Sequence, residues 1–213
     1  MAPQDRLIPD ALGFFDALAA HNSRDWFAAH KDEYEAAVKR PADALLRETG
    51  DWLAAETGVA QAAKLYRIHR DLRFSKDKTP YNTHLHLQWS DPARGICHLF
   101  GVSRDYVCAG VGAMAFSAPA LERWRGAVGA DGAEIAAEIA AMTGTGHRLD
   151  PPALKRVPAP YPQDHAQGAL LRHKGIVLWH DFTDAERNDP AAALRAAFTR
   201  LAPFRKALAT VLG

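Results

Sequence analysis

The spacing of apolar residues changes twice along this chain of 213 residues, and each change limits what the surrounding segment can fold into. Up to about residue 57 the apolar side chains recur at helical spacing: Leu12, Phe15 and Leu18, then Trp26, Phe27, Tyr34 and Val38, then Leu45, Trp52 and Leu53. Asp10 and Ser23 are placed to cap the first two helices, Pro41 to open or kink the third, and Gly58 to end it. From Leu65 the period falls to two. Tyr66, Ile68, Leu72 and Phe74 alternate with Arg67, His69, Asp71 and Arg73, while Arg70 stands on the apolar side. Thr83, Leu85, Leu87 and Trp89 alternate with Asn82, His84, His86 and Gln88, and two more strands, Ile96 to Val102 and Tyr106 to Ala113, meet at the turn Ser103-Arg104-Asp105. Helical spacing returns at Ser117 and continues to Met142. A proline-rich stretch without a period follows, then a buried strand at Ile176 to Trp179 and helices opened by Pro190.

This order predicts one α+β domain over residues 1–213. It is helical at 10–57, has strands at 64–113, helices at 118–142, an ordered proline-rich loop at 143–174, a strand at 175–181 and C-terminal helices at 190–212. The sheet is expected to be mainly antiparallel, with about five strands packed by the N-terminal, middle and C-terminal helices. Near-balanced charge (26 Lys+Arg, 25 Asp+Glu) with 48% hydrophobic residues excludes a disordered chain. No apolar run approaches the roughly 18 to 20 residues that span a bilayer, and the N-terminal residues lack a signal-peptide pattern. The expectation is a soluble, cytoplasmic protein with no membrane partner. Cys97 and Cys108 are too few for a disulfide scaffold or a structural zinc site. With Ser103 to Tyr106 as the hairpin loop they face Gly112 and Gly101, so both should be buried free thiols. Gly110 and Gly112 lie in a strand and read as a bulge or close backbone approach, not a phosphate-binding loop. No cofactor motif is present, and the five tryptophans are dispersed as core residues.

The formal net charge of +1 averages over one concentrated segment, Lys64 to Tyr81, which sets Lys64, Arg67, Arg70, Arg73, Lys76 and Lys78 against only Asp71 and Asp77. On a strand, Arg67 and Arg73 would share a face with His69 and Asp71, and a paired next strand would add His84 and His86. Guanidinium forks and ammonium groups in such density suit an oxyanion. The predicted anion site is Arg67, Arg70, Arg73, Ser75, Lys76 and Lys78, with His69, Asp71, Tyr81, His84 and His86 as polar partners. The proline-rich stretch contributes Lys155 and Arg156, with Asp164 and His165 as further partners, and is expected to lie across the sheet as a cover. The ligand implied is a small molecule bearing phosphate or carboxylate. Two alternatives stay open. The same segment could bind nucleic acid, although the whole-chain pI of 7.9 falls below the value of about 9 usual for such modules. Alternatively, Arg70, Arg73, Asp71 and Asp77 form a buried ion network that fixes the sheet to the N-terminal helices and binds no ligand. A metal site at His69, His84, His86 and Asp71 is opposed by the neighbouring arginines, so no metal is expected. No nucleophile motif accompanies the cluster, and the residues name neither a reaction nor an oligomeric state.

The run RIHRDLRFSKDKTPYNTH, with NSRDWFAAHKDEY upstream and LKRVPAPYPQDH and LLRHKG downstream, resembles the family named domain of unknown function 2461. The resemblance covers the chain from about Phe14 to beyond Lys174. It implies that Arg70, Asp71, Arg73, Phe74, Ser75, Lys76, Asp77, Lys78, Thr79, Pro80 and Tyr81 form a family signature. Trp26, Phe27, Tyr34, Leu154, Lys155, Arg156, Pro158, Tyr161, Asp164 and His165 fall on further family positions. It implies no activity. His69 stands where the family commonly has Tyr, Asn82 where it has Lys, and Ala159-Pro160 where a Gly is usual. The first departure argues against a family-wide metal or general-base role for His69.

Overall fold

The computed structural model describes residues 3–73 and 75–213. A 3-10 turn, Pro3–Arg6, leads into α1 (Leu7–Ala20). Arg6 pairs with Asp10 at 2.9 Å, so Asp10 sits within the helix instead of capping it. The helix starts earlier than expected because Leu7 and Ile8 are buried and extend its apolar stripe. Ser23 caps α2 (Arg24–Ala29) as expected, its hydroxyl accepting from the Trp26 N–H at 3.2 Å. The short α3 (Lys31–Tyr34) continues through a π-helical turn, Glu35–Lys39, into α4 (Arg40–Thr57). Pro41 lies in the first turn of α4 and has no N–H to give the preceding turn; there the Arg40 Nε donates to the Glu35 carbonyl at 3.2 Å. Gly58, at φ +68°, ends α4 in the left-handed conformation, its N–H returning to the Ala54 carbonyl.

The strands are β1 (Ala62–Leu65), β2 (His84–Ser90), β3 (Cys97–Ser103), β4 (Val107–Ala113), β5 (Arg148–Leu149) and β6 (Ile176–Asp181). They form one antiparallel sheet in the order β1-β2-β3-β4-β6-β5. Between β4 and β5 run α5 (Ala118–Asp131), capped by Ser117, and α6 (Ala133–Gly144). The short α7 (Gly168–Leu171) precedes β6, and α8 (Pro190–Arg200) and α9 (Ala202–Leu212) close the chain. The class is α+β, as the sequence predicts, with six strands where about five were expected. The extra one, β5, has two residues and so carries no period. A second difference matters more: the strand expected from Leu65 to Phe74 ends at Leu65, and beyond it only His69 and Tyr81 form an isolated antiparallel bridge. Phe74 lies outside the described residues.

The chain divides into two compact units. The first gathers the described residues up to Trp89, Leu99–Ala109 and Asp181–Ala196. Its core includes Phe14, whose ring lies 5.4 to 6.4 Å from those of Phe15, Trp26, Phe27 and Tyr34. Trp89 is fully buried, lies against Gly50 of α4 and donates its indole N–H to the Leu46 carbonyl at 2.8 Å. The second unit gathers Ser90–His98, Gly110–His180 and Ala197–Gly213. Here Trp124 of α5 is fully buried and donates to the Leu170 carbonyl at 3.1 Å, and α5 and α6 both pack on α9. Cys97 and Cys108 are buried thiols outside any disulfide among the described residues, as expected. Gly112 marks a close backbone approach, since a Cβ there would lie 2.0 Å from the Ile176 carbonyl oxygen. No helix among the described residues is long and apolar enough to cross a membrane.

Candidate functional site

After β1 the chain leaves the sheet and returns as a loop whose ends are tied together. The Arg70 N–H donates to the Pro80 carbonyl at 2.9 Å and the Asn82 N–H to the Ile68 carbonyl at 2.7 Å. Tyr81 anchors the return: it is buried, its ring stacks on Phe27 at 4.2 Å, and the Asn22 side chain bonds both its N–H (3.1 Å) and its carbonyl (2.9 Å). In sequence Asn22 reads only as a helix break. His69 is exposed, with its ring edge-on to Tyr81 and Phe27.

Side chains organise the interior of the loop. The half-buried Arg70 guanidinium donates to Asp77 Oδ2 at 2.5 Å, to the Thr79 hydroxyl, to the Thr79 carbonyl at 3.3 Å and to the Ser75 hydroxyl at 3.4 Å. Asp77 also accepts from the Thr79 N–H at 2.9 Å and the Thr79 hydroxyl at 3.0 Å. The Thr79 N–H first, then Arg70, hold the Asp77 carboxyl down at about 2. Arg73 grips Asp71 through Nε (3.0 Å) and Nη2 (2.6 Å), and these bonds lower the Asp71 pKa. Lys78 donates to the Leu72 carbonyl at 3.1 Å.

These contacts correct the strand-face reading. Arg67, His69, Asp71 and Arg73 do not stand on one strand face, because the described residues between 66 and 83 are held by loop bonds and one bridge instead of a ladder. Arg70 reads as an anion ligand in sequence, but its guanidinium is engaged by Asp77, Thr79 and Ser75, and Arg73 is engaged by Asp71. The six cations therefore divide by role. Arg70 and Arg73 offset the two aspartates, while Lys64, Arg67, Lys76 and Lys78 are exposed and make no ion pair with a described residue.

Beside the loop, β2 presents His84, His86 and Gln88 alternately with the buried Leu85, Leu87 and Trp89. The His84 and His86 rings stack at 4.1 Å, and His86 Nε2 shares a 2.7 Å hydrogen bond with the Tyr106 hydroxyl. Gly101 leaves room for both rings, because a Cβ there would meet the Tyr106 ring at 2.9 Å and His86 at 3.3 Å. Burial and then His84 lower the His86 pKa to about 4, while burial and then Arg70 lower that of His84. Both imidazoles are thus neutral hydrogen-bonding groups at pH 7. Tyr106 escapes a sequence reading; the available signal was a glycine in β3 beside an aromatic at the hairpin.

The proline-rich residues belong to the second unit. Lys155, Arg156 and Asp164 are exposed, and none makes an ion pair with a described residue. Gln163 folds this stretch by bonding the Val157 N–H (3.2 Å) and carbonyl (2.7 Å). Tyr161 lies against Gly129 of α5. His165 Nε2 donates to the Gly129 carbonyl at 3.3 Å while Nδ1 accepts from the Gln167 N–H at 3.0 Å, so both ring nitrogens are committed. These bonds make His165 an anchor of the stretch on α5.

The two paired arginines differ in burial and in number of partners. Arg70→Ala is expected to lower stability by about 1 to 2 kcal/mol and to accelerate amide exchange across residues 70–80. Arg73→Ala, which breaks an exposed pair, should leave stability close to that of the wild type. Urea unfolding with hydrogen exchange checks both; equal effects would contradict the bracing role of Arg70.

The model of a family described as "Conserved hypothetical protein (DUF2461)" matches residues 10–206. Among curated proteins there is no match to the chain.

Proposed function

Given that the chain belongs to the DUF2461 family, we propose that its Lys64–Lys78 segment recognises a small ligand bearing phosphate or carboxylate groups. The observation that carries this reading is the surplus of charge. After Arg70 and Arg73 are matched with Asp77 and Asp71, Lys64, Lys76 and Lys78 remain exposed without an ion pair to a described residue, and Arg67, also exposed, has only a longer-range attraction to Asp71. The Arg70 bonds and the Asn22 clamp hold the loop in place, which reduces the ordering entropy that binding would otherwise cost. The neutral His84 and His86 add donors and acceptors beside it. Several separate cations favour a ligand with more than one anionic group. Arg70 braces the loop and Arg73 neutralises Asp71, both pairs lying within the loop, so the ligand reading falls on the other cations.

Calorimetry with inorganic pyrophosphate at low salt tests the proposal. Wild-type protein should bind with a Kd of about 1 mM, and the triple variant Arg67→Ala/Lys76→Ala/Lys78→Ala should weaken this by tenfold or more. The charge-neutral Asp71→Asn/Arg73→Gln variant should bind as wild type does. Unchanged binding by the triple variant overturns the assignment. If the segment serves nucleic acid instead, duplex DNA will bind more tightly than pyrophosphate, with log K falling against log salt at a slope of about −3 to −4 for four phosphate contacts.

A further inference from the structure

The second unit contains a cleft of about 230 Å³. Met114 and Ala115, which follow β4, line it together with Pro151 and Ala153 of the proline-rich stretch and Ile176 of β6. Asp150, Lys174 and the buried His173 complete the lining.

Backbone bonds tie the walls together. The Phe116 N–H donates to the Lys174 carbonyl at 2.8 Å, and the Leu154 N–H donates to the Arg172 carbonyl at 3.0 Å. Gly175 allows the segments to approach, because a Cβ there would lie 2.3 Å from the Met114 carbonyl oxygen. The cleft is therefore preformed, as small-molecule sites usually are. Met114 is 62% exposed, a large flexible apolar side chain left in water at the lining of a cleft.

The charges around the cleft select one sign of ligand. Asp150 is occupied: its Oδ2 accepts from the Trp179 indole N–H at 2.9 Å, and its Oδ1 lies 3.6 Å from Arg148 Nη1. Lys174 is exposed and makes no ion pair with a described residue. At roughly 30 Å³ per water-sized volume, the space holds about eight heavy atoms. We infer that this cleft binds a small carboxylic acid of about eight heavy atoms, with an apolar body of about five carbons, its carboxylate meeting Lys174 and its body lying against Met114, Ala153 and Ile176. The site is independent of the Lys64–Lys78 segment, and either assignment can fail alone.

The test uses the full chain with methyl-labelled methionine and three probes of equal chain length: hexanoate, hexanol and hexylamine. The Met114 methyl signal, identified by its loss in Met114→Leu, should shift with hexanoate at a Kd about tenfold below that for hexanol, and least with hexylamine. Lys174→Gln should remove the preference for hexanoate over hexanol. Ala153→Trp, which fills the cleft, should abolish the response to both. Equal binding of all three probes, a preference for hexylamine, a hexanoate preference that survives Lys174→Gln, or a silent Met114 methyl would each overturn the inference.

Discussion

Gly112→Ala is expected to leave little or no folded protein. The residue sits at φ +151°, where side chains are rarely accommodated, and an added Cβ would lie 2.0 Å from the Ile176 carbonyl oxygen and 2.7 Å from the Val177 Cα. Both obstacles are backbone of β6, so no side chain can swing aside, and relief requires β4 and β6 to part in the middle of the sheet. A loss above about 4 kcal/mol follows, within reach of the whole stability of an ordinary domain. Gly126→Ala in α5 supplies the contrast: nothing lies within 4 Å of its added Cβ, and helix propensity should raise stability by about 0.5 to 1 kcal/mol. Thermal unfolding of both variants checks the pair. A Gly112→Ala protein with near wild-type Tm would mean that the strands are not held this closely.

Mild acid should destabilise the fold through its histidines well before carboxylates begin to matter. His98 is 4% exposed, its Nδ1 has no hydrogen-bond partner among the described residues, and its ring stands edge-on to Phe198. Burial and then Arg205 hold its pKa down at about 3, and burial and then His84 hold His86 at about 4, against an ordinary 6.5. A histidine with a depressed native pKa gives up its proton more readily in the folded state. The unfolded chain is therefore protonated first as pH falls. The contribution of these groups is complete above pH 6.5 and is lost progressively as pH drops towards 4 for His86 and 3 for His98. Each group adds a slope of at most about 1.4 kcal/mol per pH unit, so the two together give a slope approaching about 3 kcal/mol per pH unit between pH 6 and 4. Denaturant melts at pH 7, 6, 5 and 4.5 should show this decline. His98→Leu should flatten it by about one proton, and a flat profile in the wild-type protein would show that both imidazoles charge without cost.

Much of the fold was legible because it rests on period. The switch from helical to alternating spacing, the Ser23 and Ser117 caps, the Gly58 stop and the hairpin at Ser103 to Tyr106 all follow from local rules, and the structure has each of them. Two elements broke the pattern for physical reasons. β5 is too short to carry a period, and its pairing with β6 comes from the fold. The segment after Leu65 alternates like a strand, yet Arg70, Asp77, Thr79 and Ser75 bond one another more fully than a ladder would, so side chains hold it as a loop. Arg70 on the apolar side was the warning: a half-buried guanidinium needs partners, and it found them within its own loop. Which cations were consumed and which were left over could not be read from composition. That depends on the approach of Asp71 to Arg73 and of Asp77 to Arg70. The Asn22 clamp on Tyr81 joins residues 59 positions apart, a separation that no local pattern encodes.

The division of the basic segment into braces and presented cations can be tested by one heteronuclear NMR titration of the full chain with pyrophosphate at low salt. Shifts are expected in residues 64–78 and at His84 and His86 only, with the Arg67 side-chain Nε–H moving strongly and the Arg70 Nε–H staying in place. No change in that segment, or an Arg70 signal that moves while Arg67 does not, would contradict it.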